Sequence, residues 1–123
     1  MTDRGAQITV ARVYDEAVGD GARVLVDRVW PRGLRKADAH LDEWCKDVAP
    51  STELRRWYGH DARRVDEFAR RYREELDEPQ RAVALQHLRD VARTRPLILL
   101  TATKDVDISH AAMLSELLRQ PST

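Results

Sequence analysis

Hydrophobic and polar positions change period three times along this chain. Ile8-Thr9-Val10-Ala11-Arg12-Val13-Tyr14 is rich in β-branched and aromatic residues and predicts a first strand. The Gly19-Asp20-Gly21 turn closes it, and a second strand starts near Arg23 with Val24-Leu25-Val26. Pro96-Leu97-Ile98-Leu99-Leu100-Thr101-Ala102 is a short continuous apolar run, the pattern of a strand covered on both faces and central in a parallel sheet.

Between the second and third strands the period becomes helical. Leu41, Trp44, Cys45 and Val48 share one helical spacing, and Leu54, Trp57 and Tyr58 continue it beyond a break at Pro50-Ser51. Asp38 and Ser51 are the predicted N-caps of these two short helices. A longer helix is expected from near Asp61, with Val65, Phe68, Ala69, Tyr72 and Leu76 on one stripe and a run of arginines and glutamates on the other. Pro79 opens another helix that carries Val83, Ala84, Leu88, Val91 and Ala92 and leads into the third strand. A last helix runs from about Ser109 to Arg119, with Ala112, Met113, Leu114 and Leu117 partly buried.

These elements predict one α/β domain over residues 1–123, a small open, mainly parallel, Rossmann-like sheet of three or more strands flanked by helices. The connection between the first two strands is short for a crossover, so a hairpin and a parallel arrangement are both open.

Ligands of such sheets bind outside the carboxyl ends of the strands. There the second strand ends in Asp27-Arg28-Val29-Trp30-Pro31-Arg32-Gly33, and the third in Thr101-Ala102-Thr103-Lys104-Asp105 before Ser109-His110. If the two strands are parallel neighbours, Asp27, Arg28, Arg32, Lys104, Ser109 and His110 form the candidate ligand-binding set. The start of the last helix would add anion-favouring N–H groups, and its macrodipole would lower the pKa of His110. Trp30 is a candidate wall of the cleft. Structural roles compete for each of these: an ion pair for Asp27 and Arg28, a cap or local packing for His110.

Composition narrows the partners. Lys and Arg total 21, equal to Asp and Glu, so the chain lacks the long-range field of a dedicated polyanion binder. An anionic small molecule, a nucleotide or a phosphorylated metabolite, is the leading expectation, with catalysis left open. A nucleic-acid module using Arg63, Arg64, Arg70, Arg71 and Arg73 is the alternative, and a homodimer formed by the Trp-rich helices is a third. No apolar run approaches a membrane span and no secretory signal is visible, so the cytoplasm is expected. His40, His60, His87 and His110 are scattered, Cys45 is the single cysteine, and the dinucleotide glycine fingerprint is absent. No cofactor is implied.

The ordered set VLVDRVWPRG at Val24–Gly33, then Trp44, Lys46, Ala49-Pro50-Ser51, Leu54, Trp57, Gly59-His60, Phe68, Tyr72 and Glu75-Leu76, resembles the YeaO-like proteins of domain-of-unknown-function family 488. The resemblance spans nearly the whole chain and implies a single α/β domain of a cytoplasmic bacterial protein without an established activity. Longer relatives carry Asp-Val-Arg at the end of one strand, Leu-Leu-Cys-Ala-Glu in a later one, and then Cys-His-Arg. Here the matching positions are Val26-Asp27-Arg28, Leu99–Thr103 and Ser109-His110-Ala111, so both cysteines are replaced. That departure argues against thiol chemistry and leaves Asp27, Arg28 and His110 as matching positions. Nearer relatives often have Asn before the histidine and Tyr at the position of Thr101, and this chain departs from them too.

Overall fold

The sheet assembles around Leu97–Thr101 because that strand has no charged side chain and must cover both of its faces. The computed structural model describes residues 7–15 and 20–120. Its strands are β1 (Ile8–Arg12), β2 (Ala22–Leu25), β3 (Glu43–Trp44) and β4 (Leu97–Thr101), in spatial order β1-β4-β2-β3. All three pairings are parallel; Leu99 sits opposite Val10 of β1 on one side and Val24 of β2 on the other.

The first two strands therefore do not pair with each other, which removes the hairpin. Residues 13–21 have a contour of roughly 30 Å at about 3.3 Å per residue, longer than the strand they must pass. A short connection thus suffices to return to the start of β2 across β4. Gly19 of the expected turn lies outside the described residues. Gly21 lies within them, and a Cβ there would stand 2.8 Å from Ile98 Cδ1, so a larger residue at this point would make the Ile98 side chain shift where β2's lead-in approaches β4.

The helices are α1 (Lys36–Ala39), α2 (Thr52–Tyr58), α3 (Val65–Glu75), α4 (Pro79–Thr94) and α5 (His110–Arg119). Alternation along the strands produces two cores. Ile8, Val24, Val26, Leu97 and Leu99 pack with Phe68, Tyr72, Leu88 and Leu114 of the helices. On the opposite face Val13, Leu25 and Leu100 are covered by Trp30, Leu34, Leu41 and Trp44. Arg23, buried within β2, holds that cover in place: its guanidinium donates to the carbonyls of His40 (2.9 Å) and Ala39 (3.3 Å).

The helix expected through Leu41, Trp44, Cys45 and Val48 does not form. Glu43–Trp44 is an edge strand, followed by a 3-10 turn at Lys46–Val48. The reason is that β2 presents a free edge: Asp42 N–H donates to Arg23 O (2.9 Å) and Cys45 N–H to Leu25 O (2.8 Å). Asp38 does not cap a helix; it lies inside α1 and pairs with Arg35 at 3.2 Å. Ser51 does cap α2, accepting from Leu54 N–H, and Pro79 opens α4 as expected. Asp61 caps the 3-10 turn Ala62–Arg64 that precedes α3. The buried stripe of α5 is Ala111, Leu114, Ser115 and Leu118, and Ala112, Met113 and Leu117 flank it, partly buried as expected.

An aromatic stack joins α2 to α3. Tyr58 and Phe68 are parallel at 4.0 Å between centroids, and Tyr72 follows at 5.9 Å. Burial raises the pKa of both phenols, so each stays a donor: Tyr58 to Ile108 O (2.7 Å) and Tyr72 to Val48 O (2.5 Å). The first bond fixes α2 against the entry to α5, and the second fixes α3 against the 3-10 turn that follows β3.

Candidate functional site

Asp27 is the first residue to leave β2 after Val26 makes its last ladder bond to Leu100 O. Its carboxylate crosses to the end of β4, where Oδ1 accepts from Thr101 Oγ1 and Oδ2 from Ala102 N–H, each at 2.8 Å. Its carbonyl accepts from Trp44 Nε1 at 2.7 Å. Asp27 thereby clamps β2, β4 and β3 together, and both carboxylate oxygens are engaged.

His110 opens α5 one residue after its cap. Ser109 Oγ accepts from Ala112 N–H (3.2 Å) and donates to Val106 O (2.6 Å), so its hydroxyl is spent on the turn. The His110 side chain is 10% exposed, and its Nε2 stands 3.0 Å from Val26 O and 3.4 Å from Asp27 Oδ1. Burial is the main cause of its lowered pKa, with Arg55 and His60 acting in the same sense and Asp27 and the Val26 carbonyl opposing. The imidazole is therefore neutral near pH 7. The dipole of α5 acts in the same direction, but desolvation comes first among the causes.

These groups line a cavity of about 400 Å³. Of the expected set, Asp27, Arg28, Ser109 and His110 line it. Arg32 and Lys104 do not; both are exposed and lie outside its wall. Trp30 does not line it either, because it turns to the opposite face of the sheet, donating to Leu34 O (2.6 Å) and meeting Trp44 edge-on at 5.3 Å. Arg32 follows that turn away from the cavity.

The far wall was not anticipated. It comes from α2 and the residues after it: Thr52, Arg55, Arg56, Tyr58 and His60. Arg55 donates to Thr52 Oγ1 at 3.4 Å, and its Nε is buried without a partner among the described residues. Gly59 (φ 52°) and His60 (φ 55°) are both left-handed, which ends α2 abruptly and sets His60 at the cavity. Adjacent Arg55-Arg56 beside Trp57-Tyr58 was the visible signal, but nothing in its spacing pointed to β2.

Three arginines and two histidines thus share the lining with one carboxylate that is already satisfied. Cys45 is not part of it; burial first, then Glu43 and Asp47, push its thiol up to about 11, which keeps it protonated. Among the described residues no three His, Cys, Asp or Glu side chains converge as metal ligands. No described helix is long and apolar enough to cross a membrane.

The chain is similar to several proteins of unassigned activity. Uncharacterised proteins of Mycobacterium tuberculosis and Mycobacterium bovis are 51% identical over 116 residues, covering 94% of this chain and 96% of theirs. The uncharacterised protein YeaO of Escherichia coli is 42% identical over 113 residues, covering 91% and 96%. No solved structure matches it with significance. The profile described as the inactive DUF488-N3 subclade matches residues 7–123. With the resemblance read from Val24–Gly33 onward, that match settles the family: the chain belongs to the YeaO-like DUF488 proteins, within the subclade described as inactive.

Proposed function

We propose that the cavity binds an anionic small molecule, a nucleotide or phosphorylated metabolite, and holds it without covalent chemistry. One observation carries the reading: Arg28, Arg55 and Arg56 line a cavity whose single carboxylate, Asp27, already accepts from Thr101 and Ala102. Guanidinium groups so placed match the planar, multi-donor recognition of phosphate or carboxylate.

The absence of covalent chemistry is supported by how the hydroxyls are used. Thr101 is committed to Asp27 and Ser109 to its helix cap, and these are the positions where longer relatives resembling this chain carry cysteine. The family description as an inactive subclade agrees.

The nucleic-acid alternative loses support on α3. Arg63 and Arg64 pair with Asp61, Arg70 with Glu67 and Glu74, and Arg71 with Glu67, so most of that face is neutralised within the protein.

Thermal denaturation across phosphate-bearing metabolites tests the proposal. A ligand at about 100 times its Kd adds roughly 2.7 kcal/mol, a shift of several degrees, and the shift should fall to about half in Arg55→Ala. A flat panel, or an undiminished shift in that variant, removes the reading.

A further inference from the structure

His110 carries a consequence for the kind of anion, resting on the binding role proposed above. Val26 O has only lone pairs to offer, so the 3.0 Å contact requires Nε2 to carry the hydrogen. A neutral imidazole protonated on Nε2 exposes a lone pair on Nδ1. No described residue bonds to Nδ1, and the described side-chain atoms that are both buried and unpaired are Arg12 Nε and Arg55 Nε. Nδ1 is therefore neither bonded to a described residue nor sealed from solvent, and His110 is part of the cavity lining.

The other groups around the ring leave that acceptor role intact. Asp27 stands beside Nε2, on the opposite side of the ring's hydrogen-bonding pattern, with its oxygens taken by Thr101 and Ala102. Tyr72 meets the ring edge-on at 6.1 Å and spends its hydroxyl on Val48 O. Arg55 and His60 bring positive charge from α2 and its C-terminal turn, which opposes protonation of the imidazole.

We infer that the cavity selects a proton-bearing tetrahedral oxyanion, hydrogenphosphate or a monoprotonated phosphate monoester, over an aprotic one such as sulfate, with His110 Nδ1 accepting the ligand's proton in a hydrogen bond. The arginines attract both anions alike. Only the protonated one has a donor for Nδ1; sulfate places a lone pair against a lone pair and leaves a half-buried acceptor unsatisfied. The expected preference is roughly tenfold or more at about pH 7.5. It narrows on acidification, when an imidazolium would donate from Nδ1 to either anion.

The test uses the full chain in two independent measurements. Nitrogen NMR of the ligand-free protein reads the tautomer, with Nε2–H expected. Calorimetry then compares inorganic phosphate, glycerol 3-phosphate and sulfate at matched ionic strength. At about pH 7.5 inorganic phosphate keeps a proton and should exceed sulfate, whereas glycerol 3-phosphate, with a second pKa of about 6, is mainly an aprotic dianion and should bind like sulfate. An ester that matches phosphate there would be held by contacts other than Nδ1 and would overturn the inference. His110→Leu removes the Nδ1 acceptor together with the donor to Val26 O, so it should bring phosphate and sulfate to near parity. Should that variant fail to fold, the wild-type tautomer and anion ratio still decide. Equal binding of phosphate and sulfate, or an Nδ1–H tautomer, overturns this inference while leaving anion binding standing. Silence from all three anions overturns both.

Discussion

The arginines of α3 and those around the cavity are the same side chain in two electrostatic situations. On α3, Glu67 alone engages Arg70 and Arg71 at 2.6 and 2.7 Å, and those two bonds hold its carboxyl down at about 2. Around the cavity, Asp27 is turned inward to Thr101 and Ala102, and Arg28, Arg55 and Arg56 form no ion pair with a described carboxylate. Counting arginines points to the stretch 63–73 that leads into and along α3, where five fall within eleven residues; counting their partners points to the cavity. The difference teaches that an available charge depends on which carboxylates are already committed.

Asp27→Ala should break the comparison hardest. It leaves the Thr101 hydroxyl and the Ala102 N–H without their acceptor at the junction of β2 and β4, which costs about 2–4 kcal/mol in chemical denaturation. A loss below about 0.5 kcal/mol would mean that the carboxylate is not the clamp described.

Acidification probes the same corner. His110 is neutral in the fold with its pKa lowered, whereas in the unfolded chain it protonates near pH 6.5. Its contribution is complete above about pH 6.5 and is lost as pH falls toward the folded value, with a slope of at most about 1.4 kcal/mol per pH unit. His110→Gln should flatten the pH dependence of stability in that window, above the range where carboxylates titrate. An unchanged slope in the variant would place the titrating group elsewhere.

Arg55→Ala and Arg70→Ala make the direct contrast. The first should weaken phosphate binding about tenfold, and the second should leave it unaltered. Equal effects would erase the distinction between the two arginine sets. The smallest expected change is in Glu67→Gln, whose exposed pairs contribute little: the midpoint of a urea titration should stay close to that of the wild type. The same variant frees Arg70 and Arg71. Gel retardation of DNA that appears at low salt only in Glu67→Gln would show that this carboxylate is what neutralises the face.

Much of the fold is legible in local pattern. Leu97–Thr101 has the continuous apolar run of a covered strand, Ser51 and Pro79 mark helix starts, and the Phe68–Tyr72 stripe is buried as its spacing requires. The segment Leu41–Val48 was read as helix because its apolar spacing fits one. That spacing says nothing about a free edge on β2, and the edge decided the matter through Asp42 and Cys45. Asp27, Arg28, Ser109 and His110 were reachable from sequence because parallel neighbouring strands bring their carboxyl ends together.

Arg32, Lys104 and the wall contributed by α2 divide the two kinds of information. The sequence by itself determined which residues carry charge, which stripes must be buried, and that charged strand ends would meet where two parallel strands finish. Tertiary structure decided which charges reach the cavity: Arg32, two residues beyond Trp30, stays exposed outside the wall, while the Tyr58 anchor to Ile108 sets α2 with Arg55 and Arg56, and His60 after it, in the same lining as Asp27. The reason is that burial stripes have a local period, whereas the partner of a charge is set by the long-range packing of elements that no local period encodes.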